Sequence, residues 1–122
     1  MTDFPDNPFS DDAEFAHKVA LTYVLELFSH CVRHAIVCVM AEGMTREDAE
    51  VIGRLTNFAV RTFGNKNPET LTVGEAYDIA ISCKTEGRTY IVEVDELIIS
   101  KGGNDGDITA TEVLDDLLAV LA

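Results

Sequence analysis

Four side chains that can bind metals or move protons recur at four-residue steps in the first third of the chain: Glu26, His30, His34 and Cys38. On an α-helix that spacing sets them one turn apart along a single edge. Carboxylate, imidazole and thiolate are all transition-metal ligands, and neighbours at i and i+4 can share one ion. One straight helix cannot surround an ion tetrahedrally, so a second helix would have to complete such a centre. The plainer reading places both histidines at the boundary between a polar stripe and a core face, and no metal or cofactor is assigned. The cysteines (Cys31, Cys38 and Cys83) are odd in number and form no C-x-x-C, which argues against a disulfide scaffold or a zinc knuckle. Buried free thiols in a reducing, cytoplasmic setting are expected. No nucleophile elbow, phosphate-binding loop or dinucleotide fingerprint accompanies them, and the chain does not read as an enzyme.

Charge narrows the classes further. Among 122 residues, 9 Lys and Arg face 22 Asp and Glu, a formal charge of −13. That balance disfavours direct binding to nucleic-acid phosphates or to anionic membranes. A hydrophobic content of 47% is too high for global disorder and supports one domain with a real core. The acids crowd the C-terminal third. Glu93, Asp95, Glu96, Asp105, Asp107, Asp115 and Asp116 form a candidate docking surface for a basic protein, where opposite charge speeds association and selects partners. Two functions fit. One is a non-catalytic, calcium-independent protein-interaction or regulatory module. The other is a small acidic inhibitor, a nucleic-acid mimic that blocks a basic, nucleic-acid-handling protein.

These residues need elements to hold them. Residues 1–11, rich in proline and aspartate, read as a flexible acidic tail, and residues 12–122 as a single helical domain. Ser10 or Asp11 can cap a long helix running to about Glu42. Glu14, Lys18, Thr22, Glu26, Ser29 and Arg33 recur every three or four residues as one narrow polar stripe. The remaining arc is apolar and wider than the ~100° that packing on one side requires. A helix so apolar is central to the domain or shared with a second copy, so Phe28, Val32, Ile36 and Val39 are candidate self-association residues of a homodimer. Val19 to Ala41 is long enough to span a bilayer, but Glu26, His30, Arg33 and His34 within it argue against a membrane helix. Ala35 to Ala41 could alternatively be a buried strand.

Thr45 starts a second helix with Glu47 and Asp48 in its first turn, where the helix dipole favours acids. Its apolar face carries Ile52, Leu55, Ala59 and Phe63, and Gly64 ends it. Two capping boxes follow, Thr72-x-x-Glu75 and Thr109-x-x-Glu112. The first predicts a helix with Val73, Ala76, Tyr77, Ala80 and Ile81 on one face. The second predicts a helix buried through Val113, Leu114, Leu117, Leu118 and Leu121. Between them, Arg88 to Ser100 is rich in β-branched residues yet fits helical spacing nearly as well. A mainly α fold is expected, with an α+β alternative in which a hairpin forms near 78–95 through the Thr85–Arg88 turn.

The boxes extend into a longer match: Leu71-Thr72-x-x-Glu75-Ala76-x-Asp78 parallels Ile108-Thr109-x-x-Glu112-Val113-x-Asp115. The segment from Lys101 to Glu112 resembles an EF-hand loop, with Gly106, Ile108 and Glu112 at its turn, bridge and bidentate positions. The segment from Gly64 to Glu75 resembles it only at Leu71 and Glu75. The resemblance to a degenerate, calmodulin-like EF-hand pair covers about residues 45–122. It implies two stacked helix-loop-helix units after the long first helix. Lys101 and Gly103 stand where calcium ligands belong, so the resemblance implies no bound calcium.

Overall fold

The computed structural model describes residues 8–41, 43–102 and 109–120, with the side chains of residues 8–16 and of Glu69 left aside. The fold is mainly α. In chain order it comprises α1 (Pro8–Met40), α2 (Arg46–Phe63), a short 3-10 turn (Pro68–Thr70), α3 (Val73–Ser82), a π-helical turn (Cys83–Gly87), α4 (Arg88–Ser100) and α5 (Ala110–Val120). The π turn joins α3 to α4 without a break, so the described residues build four rods. No strand occurs among the described residues, and the α+β alternative is set aside.

The first rod begins at Pro8, earlier than the expected Ser10 or Asp11. Proline suits the first helical turn because its missing amide hydrogen has no partner there anyway. Residues 8–11, expected in the tail, are therefore helical, and residues 1–7 lie outside the described residues. At ~1.5 Å per residue this helix is about 50 Å long, and Ala35 to Met40 continues it rather than forming a strand. Ala20, Leu21, Val24, Phe28, Cys31, Ala35 and Val39 face inward at steps of three and four. Along its length α1 meets α2, α3, α4, α5 and the 3-10 turn, which makes it the central element. By length and composition His17–Met40 could cross a membrane, but here its buried stripe supplies one wall of the core.

The centre is aromatic. The Phe28 ring meets Phe58 at 5.7 Å and Phe63 at 6.1 Å between centroids, both edge-to-face, and Phe58 meets Tyr90 at 5.9 Å. Edge-to-face pairs add roughly 0.5–1.5 kcal/mol beyond the area they bury. Two expectations are corrected here. Phe28 and Val39 are 0% exposed and belong to this core, so neither is available to a second copy. Val32 and Ile36 remain half-buried at its edge.

Local chemistry explains the starts of α2 and α3. At α2 the Thr45 hydroxyl accepts the Asp48 amide at 3.1 Å, and the Asp48 carboxylate accepts the Thr45 amide at 3.2 Å. At α3 Thr72 and Glu75 repeat the exchange at 3.1 and 3.0 Å. Each reciprocal pair satisfies two amides that the helix itself cannot. The buried face of α3 differs from the expected one. Ala76, Ile79 and Ala80 turn inward, while Val73, Tyr77 and Ile81 are exposed.

The β-branched segment 88–100 is helical because Ile91, Val94, Asp95 and Ile98 bury on one helical face against α1, α2 and α5. Tertiary burial overrides its strand propensity. Thr85 to Gly87, the turn of the α+β alternative, instead belong to the π turn, and Arg88 opens α4. Gly87 permits that approach, because a Cβ there would stand 2.7 Å from Cε2 of the Phe58 ring.

Candidate functional site

Three of the acids proposed to face a partner are occupied within the molecule. Asp95 is 4% exposed. Its carboxylate accepts the backbone amides of Ala110 at 3.2 Å and Thr111 at 2.7 Å, together with the Thr111 hydroxyl. It is the cap of α5, supplied from α4, where a carboxylate meets both the free amides and the positive end of the helix dipole. Thr109 adds only a weaker contact, accepting the Glu112 amide at 3.3 Å. Glu93 holds Arg54 of α2 through two contacts of 3.2 and 3.3 Å. Asp115 holds Arg88 at 2.8 and 3.2 Å, and this guanidinium keeps the Asp115 carboxyl below its ordinary value. Asp95 is thus withdrawn from the docking surface because it is buried and capping. Glu93 and Asp115 are half-neutralised ties between helices. Glu96 and Asp116 are exposed, and Asp105 and Asp107 lie outside the described residues.

The same pattern covers most of the arginines. Arg61 meets Glu86 at 2.7 Å, and the Tyr90 hydroxyl donates to the same carboxylate oxygen at 2.9 Å. Arg61 first, then Tyr90, lowers the Glu86 pKa, while donation to Glu86 raises that of Tyr90. Arg46 meets Glu50 at 3.5 Å. Lys101, at the first position of the EF-hand-like loop, meets the nearly buried Asp48 at 3.5 Å. It therefore ties the end of α4 to the start of α2, with an ammonium where a calcium loop would begin.

Arg33 is the exception. It is exposed and makes no ion pair among the described residues. It lines the edge of an apolar groove of about 480 Å³ between α1 and α2. Leu25 and Val32 of α1 and Ala59 and Val60 of α2 line it, over the buried rings of Phe28 and Phe63. Val60, in its α2 wall, is 63% exposed. From Leu27 to Ala41 the only formal charge is Arg33. An open apolar groove edged by an unmatched cation suits an amphipathic partner that brings its own carboxylate.

The proposed metal edge does not assemble. Glu26 and His30 are exposed, and His34 and Cys38 are half-buried. The two imidazoles stand 6.0 Å apart between centroids, yet no group of three or more candidate ligands converges among the described residues. The Cys31 thiol lines a small crevice of about 170 Å³ with both histidines and Asp95. Burial, and secondarily the negative charge of Asp95, pushes its pKa up to about 12. Burial alone pushes Cys83 up to about 12. Thiols held in that state are poor nucleophiles and poor metal ligands at neutral pH.

Comparison with known proteins returned no match to a family model, a curated protein or a solved structure. The groove itself escaped the sequence reading because its two walls lie about thirty residues apart and only packing brings them together. One trace was legible: a run of fifteen residues, Leu27 to Ala41, in which Arg33 alone carries a charge.

Proposed function

We propose that this chain is a non-catalytic, acidic helical interaction module whose binding element is the groove between α1 and α2. The occupant that suits it is an amphipathic helix with a carboxylate at one edge. Its apolar side would cover Leu25, Val32 and Val60, and its acid would meet Arg33. The observation that carries this reading is Arg33 itself, a cation beside open apolar surface while the other four arginines already hold carboxylates. Burying apolar surface is worth about 25 cal/mol per Å², so a groove of this kind gains from being covered. Calcium-independence is supported by the Lys101–Asp48 pair, which sets an ammonium at the loop's first ligand position. The EF-hand-like arrangement is part of the same proposal, supported by the order α2–loop–α3 and α4–loop–α5. A cytoplasmic location is proposed on the three free thiols.

The alternative, an acidic inhibitor of a basic, nucleic-acid-handling protein, has less to stand on. Glu93, Asp95 and Asp115 are engaged internally, which leaves Glu96, Asp105, Asp107 and Asp116 to carry it.

The test is a titration with a synthetic amphipathic helical peptide of leucine and glutamate, followed by backbone amide shifts. The expected result is saturable perturbation confined to residues 25–37 and 56–65, lost in Arg33→Glu and in Val60→Asp. Perturbation centred on 93–96 and 115–116 by a basic peptide, with the groove silent, would favour the inhibitor instead.

A further inference from the structure

The groove lacks a carboxylate and an apolar helical segment, and this chain owns both. Residues 1–16 contain Asp3, Asp6, Asp11, Asp12 and Glu14, no lysine or arginine, and Phe4, Phe9 and Phe15. From Pro8 onward this segment is the start of α1. It cannot fold back onto its own groove. Asp11 and Arg33 belong to one unbroken helix, and 22 residues at ~1.5 Å each hold them about 33 Å apart. Any meeting between the acidic start of α1 and the groove must therefore be between two molecules.

We propose that the occupant of the α1–α2 groove is the acidic N-terminal end of α1 from a second copy of this chain. The two α1 rods run antiparallel about a two-fold axis. This rests on the reading of the groove given above and names its partner. A two-fold contact is made twice, so the end of each α1 fills the other's groove. Setting residues 11 and 12 against Arg33 places the axis near residue 22. Tyr23, 54% exposed on α1, then lies close to its own symmetry mate. A parallel arrangement would instead set Arg33 against Arg33 and acids against acids, which complementary charge disfavours. The chain's charge of −13 opposes any dimer through general repulsion. The pairing is therefore specified by where the few cations stand.

Sedimentation equilibrium of the full chain, from low micromolar to near-millimolar concentration, tests this. The wild type is expected to reach the mass of two chains. Arg33→Glu and the double variant Asp11→Lys, Asp12→Lys should each weaken the dimer at least about a hundredfold, about tenfold for each of its two copied contacts. Mixing the two variants should restore a heterodimer. In that pair one contact is charge-reversed on both sides and the other is wild type on both sides. Arg33→Gln, which removes charge without introducing repulsion, should give an intermediate loss. Circular dichroism on each variant separates lost pairing from lost folding. A wild type monomeric throughout would overturn the proposal, as would a dimer indifferent to both substitutions or a mixture that fails to associate. If the chain is monomeric and the leucine–glutamate peptide still binds between α1 and α2, the groove reading stands and only this partner is wrong. If neither binds, both fall.

Discussion

The carboxylate of Asp95, on α4, accepts the backbone amide of Thr111, on α5, at 2.7 Å, from sixteen positions earlier in the chain. That bond and its neighbour to Ala110 fix where the last helix begins. Asp95→Ala would leave partly buried amides without that partner and remove the cap. A loss of about 1–3 kcal/mol is expected. Urea denaturation read by circular dichroism checks it, and faster amide exchange should concentrate in residues 110–114. Asp95→Asn, which keeps one acceptor oxygen, should lose less.

Gly87 carries the next prediction. A methyl group there would stand 2.7 Å from the Phe58 ring, which is itself locked against Phe28 and Tyr90. Gly87→Ala should therefore destabilise the fold by about 1–3 kcal/mol, although alanine is the better helix former. Phe58→Leu, costly alone, should recover part of that loss in the double variant. Additive losses in the double-mutant cycle would mean that the two positions do not meet.

These two positions also mark how far the sequence could be read. The cap at Thr45 and the capping box at Thr72 were legible because they are local: hydroxyl, spacing and acid all lie within four residues. The mainly α fold was legible through the same caps and through the three-to-four periodicity of α1. Asp95 was read as a surface acid because nothing within its own helix shows that the start of α5 will arrive beside it. Gly87 fell within the turn of the α+β alternative because glycine between two apolar runs suits a turn unless a large ring must approach the backbone. The face of α3 was misjudged for a related reason. Ala76 and Ala80 are inside as the local pattern expects, but continuity through the π turn into α4 turns Ile79 inward and leaves Val73, Tyr77 and Ile81 exposed.

The inter-helix ion pairs predict a dependence on pH. Asp115 and Glu86 have folded-state pKa values lowered by Arg88 and Arg61, respectively, from ordinary values of 3.8 and 4.5. A lowered folded pKa means that the folded state holds its proton less tightly than the unfolded chain. The stabilisation is then complete above the ordinary value and is lost as pH falls through the folded one. The stability difference between wild type and Asp115→Asn should be constant above about pH 5 and vanish in more acidic solution. These pairs are roughly half exposed, so added salt should shrink the difference as well. Urea midpoints across the acid range check both statements.

Thiol chemistry separates the three cysteines. Cys31 and Cys83 are buried, with pKa values pushed up to about 12. Only a thiolate attacks an alkylating reagent, and at pH 8 a group of that pKa is ionised to about one part in ten thousand. In the native protein Cys38, half-buried on α1, should be alkylated by iodoacetamide well before the other two. In urea all three should react at comparable rates. Mass mapping of the modified peptides reads the order. Early labelling at Cys83 would mean that the π turn opens readily, since that thiol is reached only by separating α3 and α4 from the core.

Lys101 supplies the last prediction. Its ammonium lies 3.5 Å from the Asp48 carboxylate, which the Thr45 amide already holds in a lowered pKa state. A calcium ion entering at that loop position would have to displace a cation engaged with another helix, and the displacement would leave Asp48 facing the start of α2 without it. Amide spectra should therefore be unchanged by millimolar calcium. Lys101→Asp should not create a site either, because it trades the ammonium for a second carboxylate beside Asp48 and leaves Gly103, with no side-chain oxygen, at the loop's third ligand position. It should instead destabilise the contact between α2 and α4 by like-charge repulsion, and that loss should shrink in high salt. Calcium-dependent shifts in the wild type at residues 101–102 and 109–112 would show that the pair yields to the ion, and the loop would then have to be read as a working, if weak, metal site.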